Sequence, residues 1–396
     1  MIIQDMSLKS NIWKMYAFNF FRHQFFVGGV IIPFFLDWGG ITFTQVMLLQ
    51  SFYVLSVFLL EVPTGAVADR FGRKTSLTLS AVAGIMAAII YSIQPAYWVF
   101  FIGEFFWALG FSLVSGADQA FVYDTLKQLK REKDSKRIFG RLGSFPLIGL
   151  VFATSMGGII AATLGLRYTM LLVAIPLVVS FIISITLEEP KVRHKNKPYG
   201  YFRTLTNGIH YFRKHTILKI LAFDAISIWA LSFFVFWTAQ PLMMILAVPI
   251  IYFGFVNSAM AGMEVLAMNN FARLERWSGS KRNFMAYSAI IPGLGFITLS
   301  MTDYVPAVMI LFILIAGFGM SRQVLISNYM NKHIPSHNRA TVMSTVSMLT
   351  KLTSAILYPI VGLLVEYSLN WTFILLGSAI LIASVFSRVK EEHLID

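Results

Sequence analysis

The sequence contains no cysteine, which excludes a disulfide framework, a thiolate metal site and a cysteine nucleophile. Charge is scarce as well. Asp, Glu, Lys and Arg make up 13% of the 396 residues, against roughly 25% in soluble domains. With 57% hydrophobic residues and a mean hydropathy of +0.70, too little polar surface remains to cover a water-soluble globule. A polytopic membrane protein is expected. Catalytic signatures are absent too: there is no H-E-x-x-H, no G-x-S-x-G and no G-x-x-x-x-G-K-[ST]. That argues against a membrane enzyme and against direct use of ATP. No repeated pore loop is present to suggest a channel. The short polar start, Met1 to Asn11, precedes no small-residue cleavage site, so the first apolar run is read as a retained span.

Acids are the scarcer charge, 19 against 32 bases, giving a net charge of +13. Nucleic-acid binding would be one reading of that excess, but the bases are placed for another purpose. Windows of about 20 apolar residues, the length that crosses the hydrocarbon as helix, fall near 14–36, 44–67, 75–95, 98–122, 139–163 and 167–187. Six more fall near 217–241, 250–271, 284–301, 306–330, 341–365 and 370–388. With twelve spans so placed, nearly all Lys and Arg lie in alternate loops. The exceptions are Arg167 on the opposite side and Arg22, Arg322 and Lys351 inside spans. This is the positive-inside pattern with both termini cytoplasmic. No nucleic-acid partner is expected.

The domain organisation follows. Residues 1–187 form a six-span bundle and 217–396 a second. Between them, 188–216 reads as a cytoplasmic linker. Its Tyr201-Phe202, Ile209 and Tyr211-Phe212 suit a short amphipathic helix on the anionic leaflet. The halves look like a worn repeat: Gly110-Phe111 is echoed by Gly317-Phe318, and 65–74 by 272–279.

The segment 65–74 packs Gly65, Asp69, Arg70, Gly72, Arg73 and Lys74 between two spans. Its spacing, G-x-x-x-D-R-x-G-R-K, resembles the loop signature between the second and third helices of the major facilitator superfamily. With the six-plus-six topology and the basic middle loop, the resemblance covers essentially the whole chain. It implies an all-α membrane fold of two six-helix bundles related by pseudo-two-fold symmetry. It also implies that the motif glycines allow close helix approach, and that Asp69 and Arg73 latch the cytoplasmic face in the outward-open state, with Asp124 as a third member. In the fifth span, Gly140, Gly149, Ala153-Thr154 and Gly157-Gly158 are similar in spacing to the signature of the family's proton-coupled antiporters. A Gly-Pro pair stands there in place of Ala153-Thr154, while the glycines keep the thin surface of a helix-packing motif. A further family signature carries an arginine near position 106, where this chain has Glu104-Phe105-Phe106-Trp107.

Ionisable groups inside spans are costly, at about 2.5–3.5 kcal/mol each on insertion scales, and are read as functional sites. They are Arg22, His23, Glu61, Glu104, Asp118, Asp224, Glu264, Arg322 and Lys351. The resemblance implies that spans one, four, seven and ten line a central cavity. Asn19, Arg22 and His23 share a helical face. The expected pairs are Asp118 with Arg22, and Asp224 or Glu264 with Arg322 or Lys351. Such groups either couple protons and bind substrate or form static salt bridges that hold the halves together. Proton coupling and substrate binding are expected of Arg22, His23, Glu104, Asp118, Asp224, Glu264, Arg322 and Lys351. Trp107, Trp229 and Trp237 could wall the cavity, which would suit lipophilic or cationic solutes.

The sequence therefore leads to a secondary transporter working by alternating access, exporting a small organic compound in exchange for protons. The alternative is a proton-coupled importer of a sugar, organic anion or metallophore. No cofactor or metal beyond the proton gradient is expected. A monomer in a prokaryotic inner membrane, with substrate, protons and lipid as its partners, completes the expectation.

Overall fold

The computed structural model describes residues 2–191, 210–212 and 214–395, and every regular element among them is helical. Among the described residues, ten helices are long and apolar enough to cross a membrane. They coincide with ten of the twelve expected spans. In the first half these are the second (Phe43–Phe71), third (Arg73–Tyr91), fourth (Tyr97–Gln128), fifth (Glu132–Thr163) and sixth (Leu166–Ile185). In the second half they are the seventh (Thr216–Ile245), eighth (Ile251–Asn269), tenth (Val305–His333), eleventh (Thr341–Tyr367) and twelfth (Leu369–Phe386). The ninth is the helix Lys281–Leu299, begun by Ser280, whose hydroxyl accepts from Asn283 N at 3.1 Å. Local chemistry sets the other ends too. Thr42 and Gln45 form a reciprocal capping box at the start of the second span.

The first expected span is not continuous. A helix runs Ile2–Arg22, then breaks at 23–25 and continues as a 3-10 turn Phe26–Val30, a turn Ile31–Pro33 and a π turn Phe34–Trp38. The sequence supplies the cause. Gly28-Gly29 is poor helix material, and the His23 imidazole Nδ1 donates to Asn19 O at 2.8 Å, drawing the ring back over its own last turn. The fourth span is also broken, at Gly116, whose φ of +77 favours glycine. The tenth carries a π turn at Ala316–Met320, just before Arg322.

The contacts divide the chain into two units, Met1–Pro198 and Tyr199–Asp396. Met15, Phe18, Leu77, Phe121 and Leu126 centre the core at one end of the first unit. Leu221, Phe284, Ile326, Met330 and Val342 do so in the second. Large aliphatics such as Leu59, Ile182 and Leu363 face outward, as a hydrocarbon solvent allows and water does not. Of the expected amphipathic linker helix, Tyr201, Phe202 and Ile209 lie outside the described residues. Phe212 is buried in the second unit's core, against the reading of it as a leaflet-facing residue.

Candidate functional site

In the loop between the second and third spans, Gly72 takes φ +94, and a Cβ there would come within 3.0 Å of the Glu189 carboxyl carbon. That carboxylate accepts from Arg73 N (2.8 Å) and Lys74 N (2.6 Å), the first amides of the third span. A negative charge there meets both unsatisfied donors and the positive end of the helix dipole. The Arg73 guanidinium forms an ion pair with Asp124, which is buried on the fourth span. Asp69 and Arg70 are exposed, and Asp69 makes no ion pair among the described residues. Gly65 opens onto free space, so the expected close approach falls to Gly72 alone. The acceptor that organises this loop, Glu189, is a residue the sequence reading left in the linker.

The second unit repeats the device. Gly279 takes φ +82, and the Glu391 carboxylate accepts from Lys281 N (3.1 Å) and Arg282 N (2.8 Å) at the start of the ninth span. In both units the capping glutamate follows the last span. It lies 116 residues along the chain from its partner in one case and 110 in the other.

Deeper in each unit an arginine is held. In the second, Arg322 Nε and Nη2 donate to Asp224 Oδ1 at 3.0 and 2.5 Å. Its Nη1 donates to the Met285 carbonyl and the Ser288 hydroxyl of the ninth span. Ser387 Oγ donates to the other Asp224 oxygen at 2.6 Å. Arg322 is 2% exposed and Asp224 1%. This ion pair lies inside the second unit, so it does not hold the halves together. Lys351 is half-buried.

The first unit differs from expectation. Arg22 does not pair with Asp118. Its Nε donates to Ser80 Oγ (3.1 Å) and its Nη2 to the Gly110 carbonyl (2.9 Å). At Gly110 the third and fourth spans run close together, a Cβ there meeting Ser80 O at 3.1 Å, and its bare carbonyl is presented to the guanidinium. Asp118 sits in the first helical turn after Gly116 and accepts from Gln119 N at 2.7 Å and from the Asn19 side chain. The first and fourth spans are thus joined through Asn19, one turn before Arg22. The serines correspond across the repeat, Ser80 on the third span and Ser288 on the ninth.

Glu104 is 3% exposed and accepts from Gln50 Nε2 at 2.7 Å, with Tyr91 as a second partner. Tyr91 belongs to an aromatic cluster in which it stacks on Phe100, while Phe34 meets Tyr91 and Phe35 meets Phe100 edge to face. Glu264 on the eighth span is half-buried and makes no hydrogen bond or ion pair among the described residues.

The fifth-span glycines divide by position. A Cβ at Gly149 would overlap the Phe20 carbonyl oxygen, and one at Gly157 that of Phe26, whereas Gly140 faces open space. Gly149 and Gly157 therefore admit the broken first span, and Gly140 is not part of that seam. Ala153 and Thr154, between these two glycines, and Gly158, just after them, are also buried, with Thr154 Oγ1 donating to its own helix at Leu150 O, 2.9 Å.

At one end of the second unit, residues 387–394 are docked onto the bundle. His333 Nε2 donates to the His393 carbonyl (2.8 Å), and Lys281 Nζ to that of Leu394 (2.9 Å). The His393 ring is buried, and its Nδ1 accepts from Lys390 N at 3.2 Å, which requires that nitrogen unprotonated. Burial pushes the His393 pKa below the ordinary value, Lys390 and His333 add to the effect, and Glu392 opposes it. A base with a lowered folded pKa stabilises the docked state fully above its unfolded value of about 6.5. That stabilisation is lost as pH falls below 6.5 towards the lowered one. Amide hydrogen exchange over 389–394 is therefore expected to speed up, after intrinsic-rate correction, between pH 7.5 and pH 5. The change should be largely absent in His393→Gln. An equal pH effect in the variant would refute the assignment.

Comparison with known proteins places this geometry among relatives. A family model described as Major Facilitator Superfamily matches residues 15–356 and 274–394. The chain is 22% identical over 306 residues to the tetracycline resistance protein, class H, of Pasteurella multocida, covering 74% of this chain and 72% of that protein. In fold it is similar to the nucleoside transporter NupG, with a TM-score of 0.79, 13% identity, and 94% and 97% of the two chains covered. It is also similar to the POT family transporter PepTSo, with a TM-score of 0.72, 13% identity and 96% of each chain covered.

Proposed function

Because the chain belongs to the major facilitator superfamily, and is thus a membrane transporter rather than an enzyme, we propose that it exports a small organic compound in exchange for protons. The proposed setting is a cell's inner membrane, with both termini cytoplasmic. The observation that carries the proton coupling is Glu264. It is a carboxyl group within the eighth span that no hydrogen bond or ion pair among the described residues engages. An ionised group at that depth costs several kcal/mol, so the side chain gains by taking up a proton whenever it is not facing water. A group that binds a proton on one side and releases it on the other couples the gradient to helix movement.

The remaining carboxylates are less free to do this. Asp224 is committed to Arg322 and Ser387, and Glu104 to Gln50. Asp118 is the second candidate, held by Asn19 and the Gln119 amide rather than by a charge. The direction of transport is supported by the relative named for tetracycline resistance, since resistance to a compound follows from its removal. Arg73 with Asp124, and the glutamate caps at Glu189 and Glu391, are proposed to set the cytoplasmic ends of the bundles that must part and close.

The test is accumulation in everted membrane vesicles energised by respiration, with ethidium and benzoate as probes. Uptake of at least one probe that collapses with a protonophore is expected, reduced about tenfold or more in Glu264→Gln. No uptake of either probe, or uptake only in right-side-out vesicles, would overturn export.

A further inference from the structure

The break in the first span leaves a cavity of about 200 Å³ inside the first unit. Arg22, His23 and Ser80 give it a polar side. Phe25, Trp107 and Phe111 give it an aromatic one, with Phe25 and Trp107 packed at 5.0 Å between ring centroids. No carboxylate lines it. Of the guanidinium nitrogens of Arg22, Nε and Nη2 are used by Ser80 and Gly110, and Nη1 makes no hydrogen bond among the described residues. Asp118 lies near enough to act on Arg22 through its charge, but its own hydrogen bonds run to Asn19 and Gln119. The His23 Nδ1 is fixed on Asn19 O, which leaves Nε2 as the second unengaged polar atom of the pair.

A positive charge at this depth without an ion-pair partner is costly, and the geometry says what would relieve it. A planar acid group can take the free Nη1 of the guanidinium, while a ring attached to it fits against Trp107 and Phe25. The His23 Nε2, bare because the ring proton sits on Nδ1, is an acceptor and takes no part in holding the anion. Guanidinium suits this task because its fork matches a carboxylate. The volume sets the size: drug-sized ligands occupy roughly 300–1,000 Å³, so a space of about 200 Å³ admits one ring with its acid group and not a multi-ring compound.

We propose that this cavity is a subsite for the carboxylate-bearing aromatic end of the transported solute, with Arg22 as its anion-binding residue and Trp107 and Phe25 as its aromatic wall. This replaces the cationic substrate class that the sequence suggested with an anionic one. The inference rests on the reading of the chain as a solute transporter.

Equilibrium binding needs no gradient and so separates the two claims. Radiolabelled benzoate is the probe, on purified full-length protein in detergent at pH 8, by scintillation proximity. Saturable binding is expected, displaced by unlabelled benzoate and at least tenfold less effectively by benzyl alcohol or benzylamine. Arg22→Gln should weaken it tenfold or more. Because Arg22 also ties Ser80 to Gly110, Trp107→Leu, which removes the aromatic wall, is the companion variant. It leaves those bonds in place and should weaken binding at least threefold. Absence of saturable binding, equal displacement by benzylamine, or unchanged affinity in Trp107→Leu would overturn the subsite. Benzoate binding without gradient-driven transport would support the subsite while failing the coupled-export reading. Coupled transport of ethidium without benzoate binding would do the reverse.

Discussion

Asp224→Ala is expected to destabilise the second unit by about 3–5 kcal/mol, the usual cost of removing one partner from a buried ion pair. Arg322 is 2% exposed and directs two nitrogens at one Asp224 oxygen. Once the carboxylate is gone, the guanidinium keeps only the Met285 carbonyl and the Ser288 hydroxyl. Both are neutral acceptors and cannot balance its charge. Ser387 loses its acceptor at the same time, so the docked segment 387–394 should loosen with the core. The double variant Asp224→Leu with Arg322→Met removes both charges and should recover most of the loss, because apolar replacement of a whole buried pair is often neutral. Thermal unfolding followed by fluorescence-detected size exclusion checks both. A single variant as stable as wild type, or a double variant worse than either single one, would show that the pair is not the structural unit described.

The second large effect concerns the seam between the first and fifth spans. Gly157→Val should cost more than the about 1–3 kcal/mol typical of overpacking, because the atom in the way is the Phe26 backbone carbonyl and not a movable side chain. Gly149→Val meets the Phe20 carbonyl in the same manner. Gly140→Ala faces open space and should leave the melting temperature unchanged within error. If all three behave alike, the glycines act through helix propensity, and the close approach is not what they provide.

These two cases show what could be read from the residues alone. The span windows, the two-bundle division and the short set of pairings that contained Asp224 with Arg322, beside Glu264 and Lys351 as alternatives, follow from hydropathy and from the cost of buried charge, both of which are local or nearly so. The glycine spacing in the fifth span was visible too, but which glycines touch depends on where the first span breaks. That break was hidden inside an apolar window whose mean hydropathy is indifferent to it.

The failures share one cause. Arg22 was expected to seek Asp118, its opposite charge. The N–H donors of a guanidinium can be met by a hydroxyl and a bare carbonyl even though its charge is not balanced by them, and Gly110 supplies the latter where the third and fourth spans run close. Glu189 and Glu391 were invisible as caps because their acceptors and donors lie more than a hundred residues apart in sequence. Each does follow the last span of its bundle, and the repeat of an acid at that place was a signal available to a reader who aligned the two halves from their ends. The same alignment would have matched Ser80 with Ser288.

The measurement that bears most directly on proton-coupled export is a comparison of two modes of transport in proteoliposomes carrying Glu264→Gln. The probe is whichever of ethidium and benzoate the wild type moves. The account predicts that the variant keeps probe-for-probe counterflow at a rate within about threefold of wild type, since binding and helix movement need no proton from Glu264. It also predicts that the variant loses accumulation driven by an imposed pH gradient. Gradient-driven accumulation that survives in the variant would contradict the assignment of coupling to Glu264, and its survival in Asp118→Asn as well would contradict proton-coupled export by these carboxylates.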